Sequence, residues 1–304
     1  MRICLMVEGQ EGVSWDDWLT IARAVDAAGL HGLFRSDHYT SFHAEPAAAL
    51  DAWATICGLA ARTGRIRLGT LVSPATFRRP SELARVVVTA DHISGGRVEL
   101  GVGAGWFEKE HVQNGFPFPP TSERFSMFVE YVEVLARSWT AEEFDHEGKY
   151  FTLKGQRALP AALQSPHPPL VFGGRGGPRS LAVATRWADE YNAAFLTPDD
   201  AAALRGRLDE ACRSCGRAPE SLPLSMMTLV ALGEDSAEAE DRQAKMLSRF
   251  RGPADRCHVG SLEDMESVLR TLESAGVAKI YVQHPNLGDL RSIELLGQLA
   301  ARLL

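Results

Sequence analysis

No run of about eighteen apolar residues occurs in this 304-residue chain, so the sequence offers no membrane-spanning helix. Cysteine is scarce. There are five, an odd number, and Met1-Arg2-Ile3-Cys4 leads into an apolar strand pattern with no secretory leader before it. A disulfide scaffold is excluded, and a reduced, cytoplasmic setting is expected. The one CxxC, Cys212-Arg213-Ser214-Cys215, lacks the second pair a zinc site needs, so both read as ordinary thiols and no metal is expected. Basic charge is also lacking. The net charge of -7 and the missing Lys/Arg stripe exclude nucleic acid as the natural partner. No P-loop, HExxH, GxSxG or EF-hand motif appears. What remains is an ordinary globular composition, 45% hydrophobic, which suffices for a large core.

Short apolar runs alternate with helical patterns. Ile3–Val7, Gly32–Arg35, Ile66–Val72, Val98–Val102, Leu170–Phe172, Glu190–Ala194, Leu224–Leu232 and Lys279–Gln283 read as strands. The helical patterns between them include Trp15–Ala28, Ala52–Ala61, Ser122–Trp139 and Arg179–Trp187. Strands joined by helices call for a parallel sheet, either a barrel or an open doubly wound sheet. The length suits a single (β/α)8 barrel domain over 1–304. Residues 143–169 break the rhythm: Phe144–Phe151 is hairpin-like, and a Pro/Gln-rich stretch follows. They read as an insertion before the fifth strand.

Barrel enzymes place their chemistry on loops after the strands, and four such loops stand out. Ser36-Asp37-His38-Tyr39 follows strand two; it could present an acid and an imidazole, or be a solvated turn capped by Asp37. Gly69-Thr70-Leu71-Val72-Ser73-Pro74 ends strand three, and on local grounds is simply a strand entering a turn. Gly101-Val102-Gly103-Ala104-Gly105-Trp106-Phe107 follows strand four. Its alternate glycines either let a ligand approach the backbone or relieve crowding in a narrow barrel. It fails the GxGxxG fingerprint, because Trp106 takes the third glycine's place. Gly173-Gly174-Arg175-Gly176-Gly177-Pro178-Arg179 precedes a helix. Bare amides, a helix dipole and two arginines there suit an anion such as phosphate. Glu110-His111 lines the pocket or is a solvated pair; His92 and His258 read as structural.

The order of these loops, with Asp91-His92-Ile93-Ser94-Gly95-Gly96-Arg97 and Ala188-Asp189-Glu190-Tyr191-Asn192, resembles the luciferase-like flavin and deazaflavin monooxygenase/reductase family. Within it the chain looks most like the branch using coenzyme F420, with FMN as the alternative. The resemblance implies a (β/α)8 barrel with an insertion and a flavin-type ring across its mouth. It implies that Asp37 and Ser73 bind the deazaflavin and that His38 is the active-site histidine. The Leu71-Val72 bond, often cis in that family, would press a bulge behind the ring. Ala104 and Gly105 would border its polar edge, and Gly173, Gly174, Arg175 and Gly176 would hold phosphate. Tyr39, Trp106 and Phe107 would wall the substrate. One departure is clear. Sugar-phosphate dehydrogenases of the family carry a glutamate directly after the residue matching Gly105, where this chain has Trp106.

The expected reaction is hydride transfer between F420 and a small organic substrate, with His38 handling the proton and Asp37 tuning it. The rivals are an FMN-dependent monooxygenase supplied by a separate reductase, and a non-catalytic flavin-binding protein. A homodimer is expected by resemblance.

Overall fold

The computed structural model describes residues 1–140, 142–249 and 254–303. The first four strands are β1 (Arg2–Val7), β2 (Gly32–Arg35), β3 (Arg67–Pro74) and β4 (Val98–Gly103). They are joined by α1 (Trp15–Ala27), α2 (Ala52–Ala60) and α3 (Pro80–Ser94). Two helices follow, α4 (Glu108–Asn114) and α5 (Thr121–Ser138). An antiparallel hairpin comes next, β5 (Phe144–Glu147) and β6 (Thr152–Gln156), as the insertion pattern foretold. The chain returns through β7 (Leu170–Gly173), α6 (Pro178–Trp187), β8 (Glu190–Ala194), α7 (Pro198–Ser214), β9 (Leu224–Leu232) and α8 (Ser236–Arg249). It ends with β10 (Cys257–Gly260), α9 (Leu262–Ser274), β11 (Val277–Gln283) and α10 (Leu290–Arg302).

Eight strands, β1-β2-β3-β4-β7-β8-β9-β11, pair in parallel, and β11 pairs back onto β1, closing the barrel. Closure settles the choice between barrel and open sheet. Side chains alternate across each strand. Leu5, Val7, Leu33, Leu68 and Leu100 face the helices, while Cys4, Met6, Phe34, Leu71, Val171 and Tyr281 form a separate cluster in the lumen.

Below that apolar layer, at the starts of the strands, Lys279 Nζ lies 3.0 Å from Glu99 and 2.5 Å from Glu190, and Arg67 pairs with Glu99. The insertion covers this end. Gln164 accepts from Arg67 at 2.8 Å and donates to the Val98 carbonyl at 2.7 Å. The turn of the hairpin is fixed by Glu130 of α5, whose carboxylate accepts from the amides of Lys149, Tyr150 and Phe151 at 2.7–3.1 Å.

Two elements escaped the sequence. The α4 helix is seven residues long, with too few apolar positions to show a period. The β10 strand is four residues, paired only with the far half of β9. Cys212 is buried and Cys215 exposed, both free. No helix among the described residues is long and apolar enough to cross a membrane.

Candidate active site

The loop after β2 carries the central residues, and Arg35 anchors it. Arg35 is the last residue of β2 and points outward, over the Trp18 ring. Its guanidinium donates to the carbonyls of Ser36 and Leu50 at 3.0 and 2.9 Å and to Thr55 Oγ1 at 2.8 Å. One buried side chain thus gathers both ends of the segment from Ser36 to Asp51.

His38 is buried at the barrel mouth. Its Nδ1 lies 2.7 Å from Glu110 Oε2. Glu110 is fully buried on α4, and its other oxygen accepts from the amides of Tyr39 and Thr40, the latter at 3.0 Å. Burial pushes the imidazole pKa down. The hydrogen bond and charge of Glu110, with more distant help from Glu8 and Asp37, outweigh it, so His38 titrates above its ordinary value.

Asp37, expected to tune His38 directly, does so only through its charge. Its carboxylate is held by Arg78 (Nη1–Oδ2 2.6 Å, Nη2–Oδ1 3.2 Å) and by Ser73 Oγ at 2.6 Å. Trp53 Nε1 donates to that hydroxyl at 3.1 Å. The physical reason is burial: a carboxylate 1% exposed needs a cation in contact, and Arg78 supplies it. Tyr39 also departs from expectation. Its hydroxyl donates to Asp51 at 2.7 Å and accepts from Arg78 at 2.8 Å, and its ring packs on Phe77 and Phe116. It is not beside Trp106 and Phe107. Phe42 stands there instead, with ring centroids 4.9 Å from His38, 5.5 Å from Trp106 and 5.3 Å from Phe107. Trp106 is 6.0 Å from His38 and, unusually for tryptophan, 64% exposed.

The Leu71-Val72 bond is cis. A Cβ at Gly103 or Gly173 would meet the Val72 methyls at 3.0 and 3.2 Å, and one at Gly101 would strike the Thr70 carbonyl at 2.1 Å. The alternate glycines of β4 therefore make room for the bulge of β3, as the crowding reading held. Ala104 and Gly105 are half-buried at the rim, and Gly105 has φ +82°.

In the loop after β7, the Gly174 amide bonds the Asn192 carbonyl at 3.0 Å and the Gly176 amide bonds the Tyr191 hydroxyl at 2.8 Å. Gly174 must be glycine, since a Cβ would lie 2.3 Å from that hydroxyl. The Gly174 and Gly176 amides are thus bonded within the protein, while the first turn of α6 has no side-chain cap and is flanked by exposed Arg175 and Arg179.

Residues that sequence reasoning missed complete the mouth. Gln283 Nε2 donates to Glu8 at 2.6 Å, while its buried Oε1 has no partner among the described residues. Ser36 Oγ donates to Gln10 at 2.6 Å. Arg78 and Phe42 were also missed, and Glu110 was left undecided. A separate groove of about 1020 Å³, lined by Trp53, Arg78, Arg85, Leu153 and Gln156 among others, runs between α2, α3 and the hairpin. It lies outside the barrel wall.

A closed parallel barrel, a cis bulge on β3 and a histidine loop after β2 invite comparison with known proteins. The sequence profile of the luciferase-like monooxygenases matches residues 2–286. The chain belongs to the luciferase-like monooxygenase family. An uncharacterised protein of Mycobacterium tuberculosis is 36% identical over 151 residues, 50% of this chain and 51% of that protein. The chain thus spans about half the length of the first curated relatives it matches. An F420-dependent glucose-6-phosphate dehydrogenase of Amycolatopsis mediterranei is 27% identical over 249 residues, 82% of this chain and 68% of that one. Among solved structures, the monooxygenase RslO1 of Streptomyces bottropensis superposes with a TM-score of 0.86 at 21% identity, covering 100% of this chain and 99% of that one. This luciferase-like barrel is therefore a member of an oxidoreductase family, as its ordered loops suggested.

Proposed function

We propose that this luciferase-like protein transfers a hydride between coenzyme F420 and a small, largely apolar organic substrate. One observation carries the reading: a buried histidine, its Nδ1 2.7 Å from the fully buried Glu110 carboxylate, stands at the barrel mouth beside the exposed Trp106. Hydride transfer to a carbonyl or similar group needs a proton partner at the same place, and His38 is built to be one. The F420 dependence of the Amycolatopsis relative supports the choice of cofactor.

The residues present fit such a group. The uncapped first turn of α6 with Arg175 and Arg179 suits a phosphate. The orphaned Gln283 Oε1 can accept from a ring N–H. When bound, the deazaflavin supplies or takes up a hydride at a substrate carbon. The chain's own residues do the rest. Val72 and Leu71 form an apolar floor, and Ala104 and Gly105 leave backbone open at the rim. Asp37 and Ser73 are held in place by Arg78 and Trp53. Phe42, Trp106 and Phe107 exclude water, and His38 holds or receives the proton. Trp106, where the sugar-phosphate dehydrogenases of the family carry a glutamate, supports a more apolar substrate over a sugar phosphate.

Fluorescence titration with F420 and FMN offered separately tests the cofactor. Tighter binding of F420 is expected, and preference for FMN would replace this reading with the monooxygenase. A protein that binds F420 but shows no steady-state turnover across neutral carbonyl and alcohol substrates would be a carrier.

A further inference from the structure

We propose that Glu110 is the positioning residue of His38: it takes the Nδ1 proton, so that Nε2 is the nitrogen left to exchange a proton with substrate. The inference rests on the hydride-transfer reading above, but its deciding test does not.

The geometry is specific. Of the three acids whose charge reaches His38, only Glu110 touches it, at 2.7 Å. Glu8 is occupied by Gln10 and Gln283. Asp37 is occupied by Arg78 and Ser73. The aromatic rings against the imidazole among the described residues, those of Phe42, Trp106 and Phe107, do not titrate in the working range. Glu110 has no exposed surface, and its Oε1 already accepts two backbone amides from the residues after His38. A carboxylate oxygen so placed only accepts, so the shared proton belongs to Nδ1.

Two consequences follow for the proton. In the neutral imidazole the tautomer is fixed as Nδ1–H, and a lone pair at Nε2 can take a proton from an alcohol. In the imidazolium, Nε2–H is the proton released. When it passes to a substrate oxygen, the N–H bond breaks as an O–H bond forms, the imidazole returns to neutral, and the Nδ1–H bond to Glu110 is unbroken throughout. Solvent then restores the proton at Nε2. Trp106 removes a carboxylate from the rim, while α4 supplies one beneath the imidazole, on the side away from substrate.

Glu110→Gln is the informative substitution, because it keeps the shape. Its carbonyl oxygen can accept both backbone amides, and its amide nitrogen would face Nδ1 as a donor. A donor there reverses the tautomer. Nitrogen NMR of 15N-histidine-labelled protein, without cofactor, reads this directly. Wild type is expected to show His38 protonated at Nδ1 in its neutral form. The variant is expected to show Nε2–H and a titration at lower pH. A wild-type His38 protonated at Nε2, or a variant whose tautomer is unchanged, overturns the proposal. The wild-type spectrum decides even if the variant fails to fold. With F420 and a turned-over substrate, the variant should lose roughly a hundredfold in kcat with KM nearly unchanged, and the limb set by His38 (acid for alcohol oxidation, alkaline for carbonyl reduction) should move to lower pH. Glu110→Asp should recover part of the loss. If the tautomer reverses but turnover persists, the proton role of His38 is wrong and the positioning stands. If wild type never turns over with F420, the cofactor reading fails and the tautomer result is untouched.

Discussion

At the scale of single residues, the site works by dividing its charges. Asp37 and His38 are neighbours in sequence, yet each has its own counter-ion: Arg78 for the acid and Glu110 for the base. Replacing His38 by Ala should lower turnover by about 10²-fold or more while F420 affinity stays within a few fold, as expected for a lost acid–base group. Unchanged turnover in steady-state assays would remove His38 from the chemistry. The same residue links stability to pH. Its folded-state pKa is raised, so the stability it adds is fully present below the unfolded value of about 6.5 and is lost as pH rises through the folded value. Urea unfolding of wild type and His38→Gln, compared near pH 5.5 and pH 8.5, should show the wild-type advantage shrinking at the higher pH. Which loops would meet was legible from the sequence, because strand ends in a barrel converge. Which acid would reach which base was not. Glu110 lies 72 residues from His38 and on a helix too short to announce itself. Arg78 was passed over because it lies past Pro74, where the strand-three loop ends in the sequence.

At the scale of elements, the long excursions are held by single polar side chains that collect backbone groups. Arg35 does this for the β2–α2 segment by donating to carbonyls, and Glu130 does it for the hairpin by accepting from amides. Such charge-assisted bonds are worth more than neutral ones. Glu130→Ala should speed hydrogen exchange at Lys149, Tyr150 and Phe151 by roughly ten- to a hundredfold, the equivalent of about 1.5–3 kcal/mol of local opening. Unaltered exchange at those amides would mean that the hairpin's own ladder suffices. The hairpin was visible in Phe144–Phe151 because its turn and alternation are local signals. Its clamp was invisible, since an isolated Glu within α5 looks like any solvated helix residue.

At the scale of the whole molecule, the barrel is apolar in its middle and charged at both ends. The lower charges, Lys279 between Glu99 and Glu190 with Arg67 beside them, are buried and mutually satisfied. Removing Lys279 leaves Glu190 without a cation and Glu99 with Arg67 alone. Lys279→Met should therefore cost about 3–5 kcal/mol, measured by urea unfolding at neutral pH. The deficit should narrow at about pH 5, where Glu190, left without its cation, can protonate, while Glu99 keeps Arg67. A deficit independent of pH would mean that these acids are already neutral. The barrel itself was readable because each of its eight strands is a short apolar run. Closure was not, for run and spacing fit an open sheet equally well until β11 is seen against β1.

The socket around Val72 also constrains how this sequence can drift. A Cβ at Gly103 or Gly173 would meet the Val72 side chain first, whereas one at Gly101 would meet the Thr70 backbone as well. A smaller residue at 72 would thus free two strands at once and leave the third fixed. A side chain at 103 or 173 would therefore be accommodated more readily after Val72 is replaced by a smaller residue, whereas one at 101 would still meet the Thr70 carbonyl.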